Sequence, residues 1–310
     1  MYKTYWGLQG KPFENTPDPR FLYHSRQHNE ALARLLYVVQ ERKGAVLLTG
    51  DYGSGKTLLT RVLWQELQQE NKFHCAFLLN PRLSGLEFIQ EITSQLSGAP
   101  VNGNKIELFH TLHQILYSNF NAGKHTVIII DEAQAIKETD IFEELRLLLN
   151  FQLDDSFLLT IILIGQPELR SIVISLPQLM QRMSAKFHLK ALSKSETKEY
   201  IQHRLCISGA SRPIFTLEAH NQIYNFSSGI PRVINNICDL ALLVGFGNGL
   251  ISIDENIIIE VGKDLDFSVT PKQKYIDESK SKEELPLLDD SQDILDNFEQ
   301  NHYFKNKDKT

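Results

Sequence analysis

Cysteine is scarce in this sequence of 310 residues, which contains only Cys75, Cys206 and Cys238, far apart from one another. There is no CxxC pair and no Cys/His cluster with metal-ligand spacing. This argues against a disulfide scaffold and against a structural zinc site. We expect three reduced cysteines, in or near the core of a cytosolic protein.

Long apolar runs are also missing. The first residues, MYKTYW, lack the apolar core of a signal peptide, and no window reaches the roughly 18–20 apolar residues of a membrane helix. The longest apolar stretches, around Val127–Ile130 and Leu158–Ile164, have the length of strands. The sequence therefore predicts a cytoplasmic protein without direct membrane insertion, which becomes peripheral to the inner membrane only through partners.

The sequence has no excess of positive charge. Asp and Glu number 38 against 32 Lys and Arg, for a net charge of −6. Proteins that bind nucleic acid by bulk electrostatics are usually basic, so this balance disfavours DNA as the main partner. A local basic patch stays open, from the scattered residues Arg34, Arg42, Lys43, Arg61, Lys72 and Arg82.

Residues 45–190 alternate short apolar runs with helical patterns. Nearly continuous apolar strands separated by helices predict an α/β fold, in which a parallel sheet is sandwiched by helices. The predicted strands are Ala45–Thr49, His74–Leu79, Thr126–Ile130, Leu158–Ile164 and Lys186–Leu189. The predicted helices are Lys56–Gln69, Gly85–Gln95, Ile106–Tyr117 and Asp140–Leu149.

Three segments are predicted along the chain. Residues 1–190 combine the α/β unit with a helix at His28–Gln40 and an aromatic, proline-rich N-terminal arm, residues 5–23. Residues 191–266 show helical periodicity alone, which predicts a small α-helical lid domain. Residues 267–310 are polar and predict a mostly disordered tail, with an amphipathic helix that folds on a partner as the alternative.

The segment GDYGSGKT, residues 50–57, fits the phosphate-loop pattern GxxxxGK[ST] and lies between an apolar strand and a helix, as the motif requires. Glycines permit a tight turn whose N–H groups point at phosphates, and the helix N-terminus adds positive charge. We expect Lys56 to reach the β- and γ-phosphates and Thr57 to ligate Mg²⁺. The predicted ATP-binding residues are Gly50, Asp51, Tyr52, Gly53, Ser54, Gly55, Lys56, Thr57 and Leu58.

Two acids, Asp131 and Glu132, end the apolar strand VIII. Acids at the carboxyl end of a parallel strand lie in the crevice where ligands bind. Asp131 is predicted to hold Mg²⁺, and Glu132 to act as general base on the attacking water. Gln134 follows closely, and the pattern leaves three roles open: γ-phosphate sensing, coupling to a neighbouring subunit, or an ordinary polar residue at a helix start.

Two further polar residues are candidates for sensing the γ-phosphate. Gln166 follows an apolar strand and is predicted to share the crevice with Asp131; the alternative is a turn residue with no role. Arg232 follows Pro231, which suits the first turn of a helix. It is predicted to bridge from the helical segment to the γ-phosphate and so to couple domain closure to the nucleotide; the alternative is an ordinary charge at a helix start.

Arg182 is a candidate arginine finger, supplied to a neighbouring subunit to stabilise transition-state charge. A surface ion pair is the alternative. Lys186 is a weaker candidate for the same task, because its point charge cannot bind a phosphate bidentately.

These motifs, in this order, resemble AAA+ ATPases of the ExeA type, the family of general secretion pathway protein A. The resemblance also rests on the stretches MY, GL, KPF and TPDPRFLY within residues 1–23, DEAQ at 131–134, GQPEL at 165–169 and GIPR at 229–232. It covers roughly residues 1–265. It implies a P-loop AAA+ core with a helical lid, ATP and Mg²⁺ as cofactors, and an ATP-dependent homo-oligomer, expected as a ring.

The resemblance further implies that the protein assembles or regulates a bacterial envelope machine, such as a secretion channel, a type IV pilus or exopolysaccharide export, through a membrane-protein component. It also implies that Tyr23 and His28 frame the adenine. From the pattern alone, base stacking and a core or surface role are equally open for both residues.

The sequence departs from the family in two respects. Secretion members usually carry a transmembrane helix and a peptidoglycan-binding domain after the ATPase, and neither is found here. Lys186 stands where many members carry a second arginine. The alternative function is a DNA-bound helper ATPase, similar to the transposon target-selection ATPases. A third hypothesis is a nucleotide switch with slow hydrolysis, against which the presence of Glu132 argues.

Overall fold

A five-stranded sheet organises the protein, whose computed structural model describes residues 2–153 and 156–266. The strands are β1 (Ala45–Gly50), β2 (Phe73–Leu78), β3 (His125–Ile130), β4 (Leu159–Gly165) and β5 (Met183–Leu189). Their order is β2-β3-β4-β1-β5, and every neighbouring pair is parallel. The predicted α/β fold is confirmed. The predicted tail, residues 267–310, lies outside the described residues.

The helices surround this sheet and continue beyond it. Those before β4 are α1 (Tyr2–Trp6), α2 (Arg26–Gln40), α3 (Lys56–Gln69), α4 (Gly85–Ser97), α5 (Lys105–Asn121) and α6 (Thr139–Leu148). Those after β4 are α7 (Pro167–Ile174), α8 (Pro177–Met180), α9 (Lys194–Ile207), α10 (Leu217–Ser227), α11 (Pro231–Gly247) and α12 (Glu255–Asp264). Within the described ranges, no helix is both long and apolar enough to cross a bilayer.

Both faces of the sheet are buried, which explains the continuous apolar runs of its central strands. Leu47 and Ile128 belong to a core cluster that includes buried residues of α4 to α8. The alternate residues, Val46 and Ile129, belong to a second cluster with α2 and α3. Because successive strand residues point to opposite faces, every residue of β1 and β3 is buried.

The edge strand β5 is longer than predicted. It begins at Met183 rather than Lys186, and it pairs with β1 alone. The missed residues, Met183, Ser184 and Ala185, include a polar serine and a small alanine, so they do not form the continuous apolar run that marks the central strands. The short helices α7 and α8 were not predicted either, because eight and four residues hold too few helical repeats.

The N-terminal arm packs against the helices α9 to α12. Trp6, Leu8 and Phe13 are buried in the apolar cluster of these helices, and Trp6 Nε1 donates to Leu242 O at 2.9 Å. The predicted segment boundary at residue 190 assigns the arm to the α/β unit, whereas these contacts join it to residues 191–266. The boundary itself stays a prediction.

Gly229 fixes the connection between α10 and α11. Its φ is +76°, and a Cβ atom at this position would lie 1.9 Å from Leu192 O. Leu192 N also donates to Gly229 O at 2.9 Å. Two segments of main chain therefore approach so closely here that only glycine fits between them.

We predict that Gly229→Ala lowers the free energy of unfolding by more than about 3 kcal/mol, since the backbone must shift. The matched control is Gly249→Ala, where φ is +64° and no atom lies within 4 Å of the new Cβ. This control should lose only the roughly 1–2 kcal/mol of a left-handed alanine. Urea unfolding measures both, and equal losses would contradict the role assigned to the Leu192 contact.

Candidate nucleotide-binding site

A cleft lies at the carboxyl ends of β1 and β3, bounded by the phosphate loop (residues 50–57), the N-terminal arm and α11. Three parts of the chain therefore build its walls. The phosphate loop and the adjoining turns contribute Tyr52, Gly53, Gly55, Lys56, Thr57, Leu58 and Glu132. The arm contributes Glu14, Asn15, Thr16 and Pro17, and the C-terminal helices contribute Tyr200, Arg204, Pro231, Arg232 and Asn235.

The phosphate loop takes a conformation that its glycines permit. Gly53 has φ of +80° and Gly55 has φ of +101°, a left-handed region that other residues rarely adopt. Gly55 is the N-cap of α3, so the free N–H groups of that helix begin at the loop. The loop therefore presents main-chain donors and the positive end of α3 to the cleft, as an anion site requires.

Lys56 is buried beside the loop that precedes it. Its Nζ donates to Gly50 O at 2.7 Å and to Asp51 O at 2.8 Å. Burial lowers the pKa of the Lys56 ammonium, while Glu132 and Asp131 oppose that change. The cation is thus held inside the loop, where the charges of the two acids that follow β3 also act on it.

Thr57 and Asp131 meet across the cleft. Thr57 Oγ1 donates to Asp131 Oδ2 at 2.9 Å, although the two residues are 74 positions apart. Burial raises the pKa of Asp131, and the hydrogen bond from Thr57 opposes that rise. A hydroxyl and a carboxylate are the oxygen donors that suit Mg²⁺, so these two residues fit the predicted ion.

Glu132 lies in a left-handed turn directly after β3. Its φ is +52°, which is rare for a residue other than glycine and is typical of functional sites. Its Oε2 accepts from Gln134 Nε2 at 2.5 Å and is 3.5 Å from Gln166 Nε2. The structure thus brings the predicted base and Gln166 together.

Gln134 links these two residues. Its Oε1 accepts from Gln166 N at 3.0 Å, while its Nε2 donates to Glu132. A Cβ atom on Gly165 would lie 2.4 Å from Gln134 Oε1, so the glycine leaves room for this amide. The sequence left three roles open for Gln134, and they stay open; the structure shows that its amide bonds to both Glu132 and Gln166.

Arg232 contacts the phosphate loop through its main chain and its side chain. Arg232 N donates to Gly53 O at 3.2 Å, and its Nη1 donates to Tyr52 Oη at 2.6 Å. The guanidinium carbon lies 4.9 Å from the centroid of the Tyr52 ring. The start of α11 is therefore docked on the loop, where the sequence predicts this arginine to act.

Tyr23 and His28 are not among the described residues that line the cleft. Tyr23 Oη donates to Glu199 at 2.5 Å, and its ring packs against Tyr200. His28 is buried behind the phosphate loop, with Nε2 3.3 Å from Ser54 O. The adenine-framing role of these two residues stays a prediction, which their positions do not favour.

His28 instead supports the phosphate loop from behind. Its Nδ1 lies 2.6 Å from Ser25 Oγ, the N-cap of α2. Burial lowers the pKa of His28 to about 4, so the ring is neutral near pH 7. We infer that Ser25 donates to Nδ1 and that Nε2–H donates to Ser54 O.

A largely buried polar network that the sequence did not reveal forms the far wall of the cleft. Arg204 Nη1 donates to Tyr200 Oη at 2.8 Å, and Tyr200 Oη donates to Asn235 Oδ1 at 2.8 Å. Asn235 Nδ2 in turn donates to Asn15 Oδ1 at 3.0 Å. Arg204 also donates to the carbonyl of Glu14. A charged residue on the buried face of α9 was the one available signal.

Arg182 lies at the other end of the strands, where β1 and β5 begin. It precedes Met183, which pairs with Ala45, the first residue of β1. Arg182 donates to Leu149 O at 2.8 Å and to Asn150 Oδ1 at 2.6 Å. The six residues of β1, about 17 Å, separate that end from the phosphate loop of the same chain. A finger role for Arg182 therefore requires a neighbouring subunit.

Lys186 is part of β5, where it pairs with Leu47 in the middle of β1. Burial lowers the pKa of the Lys186 ammonium, and the positive charge of Arg170 acts in the same direction. Its part in an arginine-finger arrangement stays a prediction.

Three features together define a P-loop AAA fold: the order of the parallel strands, the phosphate loop and the Asp131–Glu132 pair. Residues 39–173 match the family model described as "AAA domain". The chain is a homologue of general secretion pathway protein A from Aeromonas hydrophila, to which it is 42% identical over 253 residues. That match covers 80% of this chain and 46% of the relative, so the chain spans about half the relative's length.

Solved structures share this fold at low sequence identity. The ORC2 protein of Aeropyrum pernix, in ADPNP-ADP complexes, superposes with a TM-score of 0.62 at 17% identity, over 82% of this chain and 71% of that one. Cdc6p from Pyrobaculum aerophilum gives a TM-score of 0.64 at 14% identity, over 84% and 72% of the two chains. These structural similarities show the fold alone. The predicted resemblance to general secretion pathway protein A is confirmed by the Aeromonas hydrophila homologue.

The lowered pKa of His28 predicts a pH dependence of stability. Between about pH 4 and its usual pKa of 6.5, an exposed histidine in the unfolded chain binds a proton that folded His28 does not. The unfolding free energy therefore falls as pH falls through this window, by about 2 kcal/mol between pH 7 and pH 5 for this one group.

His28→Gln removes this contribution and keeps an N–H donor. We therefore expect urea unfolding at pH 7 and pH 5 to show a smaller loss of stability in the variant than in the wild-type protein. The buried residues His125 and His220, whose pKa values burial also lowers, remain in both proteins and cancel in the difference. Identical pH dependence in the two proteins would contradict the neutral, buried state assigned to His28.

Proposed function

We propose that this protein is a Mg²⁺-dependent ATPase that assembles or regulates a bacterial envelope machine from the cytoplasmic side. The observation that supports ATP hydrolysis is the convergence, at one sheet edge, of Lys56 in its loop, the Thr57–Asp131 pair and Glu132. A protein that only binds ATP would need Lys56 and the Thr57–Asp131 pair. Hydrolysis also needs a general base, and in this proposal Glu132 is that base.

Each group has a role in this proposal. The loop N–H groups and Lys56 hold the phosphates, and Thr57 and Asp131 hold Mg²⁺, which when bound neutralises phosphate charge. Glu132 accepts a proton from the attacking water, in the orientation that Gln134 and Gln166 give it. Lys56 Nζ donates to two loop carbonyls, and in this proposal phosphate oxygens replace those carbonyls as its acceptors.

Arg182 lies too far from the candidate site of its own chain to contribute its guanidinium there. We propose that a neighbouring copy supplies it, in an ATP-dependent homo-oligomer, with a ring as the expected form. A heterologous interface of this kind places one surface of each copy against a different surface of the next. The surface of one copy that carries Arg182 would face the phosphate loop of the next copy. Within one chain, these two surfaces lie at opposite ends of the strands.

The envelope role rests on the relative's name, general secretion pathway protein A. We propose a secretion channel, a type IV pilus or exopolysaccharide export as the machine, with a membrane-protein component as partner and a peripheral place at the inner membrane. The steady-state ATPase rate with and without duplex DNA, at low and moderate salt, tests this against the DNA-helper alternative. Stimulation by DNA that fades with salt would favour the alternative.

Two substitutions separate binding from hydrolysis. Lys56→Ala should weaken ATP binding roughly 100-fold or more, because the phosphates lose their main cation. Glu132→Gln should bind ATP normally and lower kcat by about 10²–10⁴-fold. Calorimetry and steady-state rates measure the two effects. The matched control is Glu260→Gln, which removes an equal charge from α12, away from the cleft, and should keep near-normal turnover. Normal ATP affinity in Lys56→Ala would refute the site.

The proposed intersubunit finger predicts complementation. Arg182→Ala and Glu132→Gln should each be nearly inactive alone, because every interface lacks one group. In a 1:1 mixture, roughly a quarter of the interfaces combine an intact Glu132 with an intact Arg182 from the neighbour, so activity should recover to about a quarter of wild type. A mixture as inactive as its components would place Arg182 outside the neighbour's site.

A further inference from the structure

Tyr52 occupies a position that the phosphate-loop pattern leaves free. Its side chain is 61% exposed, so packing in the core does not explain it. Its contacts are with Arg232: Nη1 donates to the phenol oxygen at 2.6 Å, and the guanidinium carbon lies 4.9 Å from the ring centroid. An exposed aromatic residue of the loop thus makes its contacts with one arginine of the C-terminal helices.

The main chain of Arg232 is fixed independently of Tyr52. Arg232 N donates to Gly53 O at 3.2 Å, and Gly53 packs so closely that an added Cβ would lie 2.7 Å from Arg232 Cβ. The side chain then extends over the loop and lines the cleft. The direction of the guanidinium, rather than the location of Arg232, is what the Tyr52 contact determines.

The contact uses one edge of the guanidinium and leaves the other free. Nη1 donates to the phenol, whereas Nε and Nη2 have no hydrogen-bond partner within residues 2–153 and 156–266. A guanidinium is a planar fork of five donors that suits phosphate oxygens. The hydrogen bond and the ring contact together restrain the guanidinium, so its free nitrogens stay beside the phosphate loop.

We propose that Tyr52 is a positioning residue that orients Arg232 for the terminal phosphate of ATP, and that this contact favours ATP over ADP. The inference rests on the proposed function. A long arginine side chain loses rotamer entropy when it binds, and an arginine already held by Tyr52 loses less. ADP lacks the terminal phosphate, so its affinity gains nothing from the oriented arginine.

Calorimetry with AMP-PNP, a non-hydrolysable ATP analogue, and with ADP tests this proposal, both with Mg²⁺. Tyr52→Phe keeps the ring contact but loses the hydrogen bond and should weaken AMP-PNP binding about threefold; Tyr52→Ala removes both contacts and should weaken it about tenfold. ADP affinity should change by less than about twofold in each. The control Tyr117→Ala removes a tyrosine of α5 that packs against His113, with ring centroids 4.6 Å apart, and should change neither affinity.

A double-mutant cycle shows whether Tyr52 acts through Arg232. In an Arg232→Gln background, Tyr52→Ala should have no further effect on AMP-PNP binding. Additive losses, equal losses for ADP and AMP-PNP, or tighter AMP-PNP binding in Tyr52→Ala would each overturn the proposal. Failure of the wild-type protein to bind either nucleotide would instead remove the proposed function, so the two failures are distinguishable.

Discussion

Parallel pairing of β3 and β4 beside β1 brings three turns to one edge of the sheet, and the site depends on that edge. The phosphate loop follows β1, the Asp131–Glu132 turn follows β3, and Gln166 follows β4. The hydrogen bond from Thr57 to Asp131 closes this arrangement across 74 residues of sequence. Because each face of the sheet packs against its own core cluster, a slip in register would exchange the side chains of the two faces and disrupt both clusters.

Burial and charge act together at this edge. Lys56 and Asp131 are both removed from water, which lowers the pKa of the first and raises that of the second. Each stabilises the other's charged form, so neither is left as an isolated buried charge. The positive end of α3 and the loop amides add donors for an anion. The site is therefore built for a ligand that brings negative charge together with a cation.

The cleft depends equally on contacts between segments that are distant in sequence. The N-terminal arm reaches it because Arg204 donates to the carbonyls of residues 12 and 14. The start of α11 reaches it because Arg232 docks on Gly53. The close approach at Gly229 fixes the path of the chain into α11. The N-terminal arm, the phosphate loop and the C-terminal helices are thus joined by direct contacts around the cleft.

The sequence by itself determined the sheet, its flanking helices and the phosphate-loop and acidic-turn motifs, because these depend on local periodicity and on fixed short spacings. Tertiary structure alone decided that Gln134 holds Glu132, that His28 lies behind the loop, and that Arg182 lies at the other end of the strands. Those outcomes depend on strand order and on which helix packs where. Contacts between residues far apart in the chain leave no periodic pattern in the sequence, so only the folded chain reveals them.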